Sequence, residues 1–333
     1  MTPACRHRQL SRPRGLREAC PALWPALVAV AVLTGCRDAK APAPAADPRP
    51  PAVAAPADAA TSRSATPAPA AGPLVAIIVD DWGQALNGPQ AVILALPQPL
   101  TLAVLPCLPH SAEMARRATA LDLPADAAVA RAGEDQAATP VPATARREIF
   151  LHLPMQPLDV VQSHPGEPVL VPGLEPAEVE RRLALALASV PGARGVNNHM
   201  GSAATADSAL MAALMEGLSR RGLRFVDSLT SPASVAYAAA RQAGVPALRS
   251  RIFLDADRTS SEAIAANLAR LVAAARAGGA AVGIAHPYVT TAEVLAAELP
   301  RYEAAGVRFV TVSELMAKTP AGSDPMGEDA GGR

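Results

Sequence analysis

Aromatic residues and an excess of basic charge are both lacking in this sequence. Aromatic side chains make up 3% of the 333 residues, and 30 Lys and Arg residues balance 30 Asp and Glu residues. Proteins that bind nucleic acid usually present a basic stripe, often with aromatic side chains that stack on bases. The composition therefore argues against nucleic acid as a partner. Of the four cysteines, only Cys107 lies beyond the N-terminal 36 residues, so no disulfide framework is expected in the rest of the chain, and a domain of this size must rely on its apolar core.

The N-terminal 36 residues have the pattern of a bacterial export signal. Several arginines precede an apolar stretch at residues 22–33, which ends at Leu33-Thr34-Gly35-Cys36. About a dozen apolar residues are too few to span a bilayer comfortably, which requires roughly 20. The Leu-Thr-Gly-Cys ending resembles the lipobox of bacterial lipoproteins, in which cleavage leaves the cysteine as a lipidated N-terminus. We therefore expect a periplasmic protein that is attached to a bacterial membrane through lipid on Cys36. An uncleaved membrane anchor is the alternative.

Two segments outside the predicted domain have too little apolar surface to form a core. Residues 37–73 consist almost wholly of Ala, Pro, Asp, Ser, Thr and Arg, without apolar periodicity. We predict an extended, disordered tether there, which acts as a spacer. Residues 319–333 are predicted to be a disordered tail for the same reason. The folded domain then covers residues 74–318, with an Ala- and Pro-rich surface insertion at residues 121–147.

Strand-like and helix-like patterns alternate along the predicted domain, which is typical of α/β architecture. Short apolar runs predict strands at residues 75–79, 101–105, 148–151, 195–196, 223–226, 247–249, 281–284 and 308–310. Amphipathic segments predict helices at residues 111–120, 176–190, 205–221, 234–242, 261–277 and 290–305. No glycine-rich dinucleotide loop follows the first strand. About seven βα units therefore favour a distorted (β/α) barrel over an open doubly wound sheet.

Five of the apolar runs meet residues that are able to bind a metal ion or to move a proton. In a parallel sheet covered by helices, all strands end on the same face, so residues distant in sequence meet there in one pocket. We therefore predict a catalytic site at this edge of the sheet. The strand-end residues are Asp80-Asp81, His152, Asn197-Asn198-His199, Asp227 and His286.

The side chains of Asp81, His152 and His199 are the donor set of an open catalytic site for zinc or a similar divalent metal. Two imidazoles and one carboxylate leave a coordination position for water. A cation next to Asp81 would keep that carboxylate ionised, and Asp80 would remain free to accept a proton from water. Two alternatives stay open: Asp81 caps a helix, and His152, which lies in an apolar context, is a core residue.

His286 is predicted to be the general acid, because the unperturbed pKa of histidine lies near neutral. Asp227 is expected to orient this imidazole or a ligand histidine, and a turn residue is the alternative for it. Asp255 also ends an apolar run and is expected to line the pocket. The other polar residues predicted to contact substrate or to support the site are Asn197, Asn198, Ser202 and Ser228.

Several segments together resemble the divergent polysaccharide deacetylase family over roughly residues 74–316. The Asn-Asn-His-Met-Gly-Ser segment at residues 197–202 is the most specific of them. The family is similar to the NodB-type carbohydrate esterases, and this resemblance implies a distorted (β/α) barrel with a divalent metal ion, usually zinc. The segments are Val75 to Gly83, Leu151 to Pro157, Gly195 to Ser202, Phe225 to Thr230 with Ser234-Val235-Ala236, Arg251 to Asp255, and Ala285-His286-Pro287.

The resemblance also implies a role for each matching residue. The implied roles are base for Asp80, metal ligand for Asp81 and His152, and general acid for His286. The NodB-type enzymes take both ligand histidines from one HxxxH stretch, but Gln156 stands four residues after His152. The second imidazole must therefore come from elsewhere, and His199 is the candidate.

We predict an enzyme that hydrolyses acetyl groups from an envelope polysaccharide or a related glycan, with a divalent metal that is expected to be zinc. The bond cleaved would be a C–N bond other than a peptide bond, or the ester of an O-acetyl group. Because the second ligand histidine departs from the NodB-type pattern, a catalytically inactive glycan-binding or scaffolding module is the alternative. A different metal-dependent hydrolase also stays open, since a fold does not fix its substrate. No obligate protein partner is expected.

Overall fold

The computed structural model describes residues 72–121, 146–159, 168–250 and 252–319. The predicted export signal, nearly all of the predicted tether and tail, and most of the 121–147 insertion lie outside these residues. In the described part of the chain, eight parallel strands form one sheet. They are β1 (Leu74–Trp82), β2 (Leu100–Val104), β3 (Arg147–Met155), β4 (Gly195–Met200), β5 (Arg224–Asp227), β6 (Ala247–Arg249), β7 (Ala280–Ala285) and β8 (Arg308–Val310).

Seven of these strands curve into a nearly closed barrel, which confirms the predicted fold class. Their order is β6-β5-β4-β3-β2-β1-β7, and β8 pairs with the first residues of β1. The segment after β6 narrows the remaining seam, because Phe253 pairs with Ile284 of β7. Backbone hydrogen bonds from Leu254 to Ile284 and from Ile284 to Ile252 accompany this pairing. All strands therefore end on one rim of the barrel.

Alternate strand residues point into the barrel and form its inner core. This alternation of inward and outward side chains continues beyond the apolar residues of each strand. Asp80 follows the inward side chains of β1, His152 follows those of β3, and His286 follows those of β7. The pattern that builds the inner core thus also delivers these three side chains to the rim. Members of the inner core cluster include Ala76, Ile78, Phe150, Val226, Val282 and Ile284.

A larger core lies between the outer face of the barrel and the surrounding helices. Strand residues of the opposite parity, such as Ile77 and Leu151, belong to one buried cluster with helix residues such as Leu214 and Leu268. None of the helices in the described ranges has the length and apolar content needed to cross a membrane. The helices are α1 (Pro89–Leu94), α2 (Ser111–Leu121), α3 (Pro176–Ser189), α4 (Ser208–Arg220), α5 (Ala236–Gln242), α6 (Ser261–Gly278), α7 (Val289–Ala304) and α8 (Val312–Lys318), with a short 3-10 turn at Ala204–Ala206.

The structure differs from the sequence predictions at several short elements. The sequence pattern does not predict α1 or α8, which have six and seven residues; helices this short show little of a helical period. A capping box between Thr311 and Glu314 starts α8. The strand β3 begins at Arg147, so the predicted insertion extends too far at its C-terminal end. The strand β4 runs to Met200, beyond its apolar run, because its inward positions carry polar side chains.

Arg147 is fully buried and supports the chain that leads from α1 to β2. Its guanidinium donates hydrogen bonds to backbone carbonyls, so the buried charge lies against several oxygen dipoles. Burial lowers the pKa of Arg147 to about 10, and the side chain therefore stays charged at neutral pH. The carbonyls at a helix C-terminus carry partial negative charge, which favours a cation there. The acceptors are the carbonyl oxygens of Ile93, Leu94, Leu96, Gln98 and Arg146.

Candidate metal centre and active site

The end of β1 brings two adjacent carboxylates to one pocket through an irregularity in the strand. The register between β1 and β2 shifts between Val79 and Trp82, and Asp81 has a left-handed φ of 60°. Adjacent side chains of a regular strand point to opposite faces, and the bulge removes this alternation for Asp80 and Asp81. A non-glycine residue in this region costs free energy, and such strain is concentrated at functional sites.

Asp81, His152 and His199 converge from β1, β3 and β4. One potential ligand atom of each lies within 4.8 Å of the other two. The Nδ1 atom of His199 is 3.2 Å from Asp81 Oδ1, and His152 Nε2 is 3.4 Å from the same oxygen. The two imidazole nitrogens are 3.1 Å apart. The structure thus brings together the three residues that the sequence analysis predicts as ligands.

The donor atoms of this cluster fit a divalent cation. Among the described residues, no hydrogen bond of good geometry reaches the buried Oδ1 atom of Asp81, although both imidazoles direct a nitrogen toward it. Burial opposes ionisation of Asp81, but the imidazoles of His152 and His199 hold the pKa of its carboxyl well below its usual range. An ionised carboxylate and two imidazole nitrogens around one point are a donor set that zinc accepts, with a fourth position left open.

Asp80 lies beside the cluster, inside the barrel, and is almost completely buried. Its Oδ1 atom accepts a hydrogen bond from the amide nitrogen of Asn197 at 2.8 Å. Its Oδ2 atom is 3.6 Å from His152 Nε2. Burial raises the pKa of Asp80, while the imidazoles of His152 and His286 act in the opposite direction. Asp80 therefore has one oxygen held by a donor and the other directed toward the candidate ligands.

His286 faces the cluster from β7 and is held by Asp255. The Nδ1 atom of His286 is 2.9 Å from Asp255 Oδ1, and its backbone N–H donates to Asp255 Oδ2 over 2.6 Å. The hydroxyl of Thr291 donates to the same Oδ2 atom over 2.9 Å. The other ring nitrogen, Nε2, lies 4.0 Å from Asp81 Oδ2. Burial alone would lower the pKa of His286, but the hydrogen bond with Asp255 and the nearby carboxylates raise it to about 9.

Asp227 does not contact any of the three site histidines in the structure, which corrects the prediction that it orients one of them. Its carboxylate accepts hydrogen bonds from the hydroxyl of Ser234 at 2.7 Å and from the backbone N–H of Leu229 at 2.9 Å. Asp227 therefore shapes the turn after β5. This role as a turn residue is the alternative predicted for it from the sequence. The carboxylate that contacts His286 is Asp255.

The remaining predicted site residues bind backbone groups around the rim. The oxygen of Asn198 accepts the backbone N–H of Ser228 at 2.8 Å, and the Ser228 hydroxyl donates to the carbonyl of Asn198 at 3.0 Å. Ser202 accepts the backbone N–H of Leu158 at 2.8 Å. These bonds tie the segments after β3, β4 and β5 to one another, so these side chains shape the rim that surrounds the cluster.

Two features of the site are not evident from the sequence pattern. The contact between Asp255 and His286 follows from barrel closure. Phe253 pairs with Ile284, and Asp255 and His286 lie two residues further along the two paired segments. An aromatic and cationic pair also lies next to His286. The ring of Tyr288 stacks on His286 with centroids 5.6 Å apart, and the Arg258 guanidinium lies 5.5 Å from the Tyr288 ring. In the sequence, Arg258 follows shortly after Asp255 and Tyr288 shortly after His286, and these positions are the signal that could have indicated the pair.

Comparisons with known proteins identify a matching family model and related sequences. The family model described as divergent polysaccharide deacetylase matches residues 77–126 and 118–316. The uncharacterized protein YibQ of Escherichia coli (strain K12) is 33% identical over 222 residues, which are 66% of this chain and 60% of that protein. An uncharacterized protein of Haemophilus influenzae (strain ATCC 51907 / DSM 11121 / KW20 / Rd) is 36% identical over 225 residues, which are 68% of this chain and 70% of that protein.

A solved structure supports the fold independently. The crystal structure of the uncharacterized protein ATU2773 from Agrobacterium tumefaciens C58 superimposes with a TM-score of 0.62 at 24% sequence identity. The match covers 74% of this chain and 91% of that chain.

Proposed function

This chain belongs to the divergent polysaccharide deacetylase family, and from that premise we propose that it is a metal-dependent hydrolase that removes acetyl groups from an envelope glycan. The observation that carries the proposal is the convergence of Asp81, His152 and His199 within 4.8 Å, with a carboxylate and an imidazole beside them. A donor cluster of this kind, next to a potential base and a potential acid, is suited to metal-assisted hydrolysis of an amide or ester.

Asp81, His152 and His199 are the residues that would hold the metal, and zinc is the ion that we propose. The chemistry that such an ion supplies when bound is Lewis-acid polarisation of a carbonyl or water oxygen. The three side chains come from strands of one packed barrel, so their relative positions are fixed by the fold. Two imidazoles and one carboxylate leave room for a further ligand.

Asp80 is proposed as the general base. Its Oδ2 atom faces the cluster, while Oδ1 is occupied by the Asn197 amide. In the proposed reaction, Asp80 accepts a proton from the water whose oxygen attacks the acetyl carbonyl. General base catalysis of this kind typically contributes about 10²–10⁴-fold to the rate.

His286 is proposed as the general acid. Asp255 holds Nδ1, and this leaves Nε2 directed toward the cluster. When the bond between the acetyl carbon and the sugar nitrogen or oxygen breaks, His286 donates its proton to the leaving amine or alcohol. The products are acetate and the deacetylated sugar. A raised pKa suits this role, because the imidazole must hold a proton before the bond breaks.

Acetate release from acetylated oligosaccharides tests the proposal. Zinc-loaded protein is assayed on N-acetylated and O-acetylated glycans, together with Asp80→Asn and with Asp257→Asn as a matched control. Asp257 is exposed and accepts hydrogen bonds from Thr259. We expect Asp80→Asn to lower the rate by at least about 10²-fold and Asp257→Asn to keep it. The proposal would be contradicted if wild-type protein with stoichiometric zinc left every glycan acetylated and released no more acetate than Asp80→Asn. That result would favour a binding or scaffolding module.

We also propose that the protein is periplasmic and is attached to a membrane by lipid on Cys36. The support is the Leu33-Thr34-Gly35-Cys36 sequence after an arginine-rich, apolar N-terminal segment. Labelled fatty acid supplied to cells should be incorporated into the wild-type chain but not into Cys36→Ser. Equal labelling of both chains, or labelling of neither, would contradict the proposal.

A further inference from the structure

Asn197 lies inside the barrel between two groups of the candidate site. It is fully buried on β4, and the strand register pairs it with His152 of β3. Its amide nitrogen donates to Asp80 Oδ1 over 2.8 Å, and its amide oxygen is 3.0 Å from His152 Nδ1. One side chain therefore contacts both the proposed base and a candidate metal ligand.

The direction of the amide follows from the chemistry of its neighbours. The NH2 group of Asn197 faces Asp80 and donates to its Oδ1 atom over 2.8 Å, because this carboxylate oxygen is the acceptor. Ser228 provides an independent constraint. Its hydroxyl proton is donated to the carbonyl of Asn198, so it presents a lone pair to the Asn197 nitrogen, which is 3.5 Å away. Both neighbours require the NH2 on the same side, and the amide oxygen must face His152.

This orientation fixes the tautomer of His152. An amide oxygen only accepts hydrogen bonds, so Nδ1 of His152 must carry a proton. In the neutral imidazole Nε2 then holds the lone pair, and Nε2 is the atom that faces Asp81 and His199. Histidines that bind metals commonly donate their other ring N–H to an acceptor that fixes the tautomer and the ring orientation.

We propose that Asn197 is a positioning residue that fixes His152 in its metal-binding tautomer and, through the same amide, holds Asp80 beside it. The metal part of this inference rests on the proposed function, whereas the tautomer depends on the protein side chains alone. Both hydrogen bonds originate on one planar group, so the base and the ligand keep a fixed relative orientation. The distance from Asp80 Oδ2 to His152 Nε2 is 3.6 Å, and loss of the amide would release both groups together.

Asn198 offers a matched control because it is the next residue on β4 and is also buried. Its oxygen accepts the backbone N–H of Ser228, and its nitrogen donates to the carbonyl of Met200 over 2.7 Å. Its side chain lies on the opposite face of β4 from that of Asn197, and these hydrogen bonds connect it to the rim of the barrel. If the buried amides are merely structural, removal of either one should have the same effect on the site.

The test compares Asn197→Leu with Asn198→Leu, each of which removes an amide at similar side-chain volume. Zinc affinity of the metal-free protein is measured by competition with a chromophoric chelator, and histidine tautomers are measured by NMR of histidine-labelled, metal-free protein. We expect Asn197→Leu to lower zinc affinity by about 10–100-fold, the range typical of residues that orient metal ligands. His152 should also shift toward the Nε2–H tautomer. Asn198→Leu should lower the melting temperature but keep the wild-type zinc affinity and His152 tautomer.

Unchanged zinc affinity in Asn197→Leu, or equal losses of affinity in the two variants, would overturn the inference. A wild-type spectrum in which neutral His152 carries its proton on Nε2 would do the same, and this result needs no variant to fold. Neither readout uses a glycan. Wild-type protein that binds zinc and shows the Nδ1–H tautomer, but releases no acetate, would contradict the proposed function and leave this inference standing.

Discussion

The Nδ1 atom of His199 lies 3.2 Å from the Oδ1 atom of Asp81, although the two residues come from strands that are not neighbours in the sheet. The contact forms because both strands end on the same rim and because Asp81 takes a left-handed φ of 60°. Met200, directly after His199, also takes a positive φ, of 56°. The backbone thus departs from regular strand geometry on both sides of this contact, as is typical of functional sites.

Replacement of His199 by alanine should weaken metal binding more than the loss of a supporting residue does. Removal of an orienting residue typically costs about 10–100-fold in affinity, and we expect His199→Ala to exceed this range because a donor atom itself is lost. Competition with a chromophoric chelator measures the affinity for zinc. His110→Ala is the control, since His110 lies on the surface beside Glu113 and should bind zinc as the wild type does. Equal affinities of His199→Ala and the wild type would remove His199 from the ligand set.

Replacement of Asp255 by asparagine should lower turnover while zinc affinity is retained. The amide lacks the charge that favours protonated His286, and the second hydrogen bond to the His286 backbone depends on the orientation of this side chain. We expect kcat to fall by at least about 10²-fold, the lower end of the effect of a general acid. Thr291→Val, which removes one of the bonds to the same carboxylate, should cause a much smaller loss. A wild-type kcat for Asp255→Asn would show that this carboxylate does not assist His286.

Replacement of Arg147 by methionine should destabilise the domain strongly. The variant leaves several buried carbonyls without their donor, and each such group costs about 1–3 kcal/mol. A total loss on the order of 3 kcal/mol corresponds to a decrease in melting temperature of roughly 10 °C for a domain of this size. Arg146→Met is the control, because the neighbouring Arg146 forms a surface ion pair with Glu314, and such pairs contribute about 1 kcal/mol or less. Equal melting temperatures for the two variants would contradict this prediction.

Replacement of Glu148 by glutamine should change the pH dependence of stability. Burial raises the pKa of Glu148 above its ordinary value of 4.5, so the native state holds the proton more tightly than the unfolded chain does. The contribution of Glu148 to the free energy of unfolding therefore falls as the pH rises from 4.5 toward the pKa of Glu148 in the native state. We expect Glu148→Gln to melt above the wild type at neutral pH and the difference to shrink below pH 4.5.

Glu113→Gln provides the control for this pH series. A hydrogen bond with His110 lowers the pKa of the half-buried Glu113, so any stability from this group is present above its ordinary pKa and is lost as the pH falls. The variant should therefore show no gain in melting temperature at neutral pH. A Glu148→Gln difference that stays constant across the pH range would contradict the prediction for the buried group.

The barrel and the main members of the site can be predicted from the sequence because both depend on local patterns. Apolar runs mark the strands, and a strand end marks the rim, so Asp80, Asp81, His152 and His286 can be assigned before any contact is known. His199 is harder to assign because β4 carries polar residues at its inward positions, and its apolar run is correspondingly short. Its place in the cluster follows from the register between β3 and β4.

The partners of the site residues cannot be predicted in the same way. The choice between Asp227 and Asp255 as the partner of His286 depends on which segment closes the barrel against β7, and no local pattern reports that. The two contacts of Asn197 depend on a side chain that reaches across the interior from β4 to β1. These contacts depend on how the strands are aligned with one another in the folded barrel, whereas residue types and their spacing describe only one strand at a time.

The pairing of β1 with β7 also has a consequence for the order in which the protein matures. It joins segments from the beginning and the end of the folded domain, and contacts of such long range form only after a large loss of chain entropy. Asp81 and His286 approach each other only once this pairing exists, so an incompletely folded chain has no complete site. A metal held by Asp81, His152 and His199 would bind the native protein but not the unfolded chain, and would stabilise the native state by about 2.7 kcal/mol at a free concentration of 100 times its Kd. The proposed acid would accordingly join the site only when β1 and β7 pair, whereas the bound metal would oppose unfolding of the mature protein.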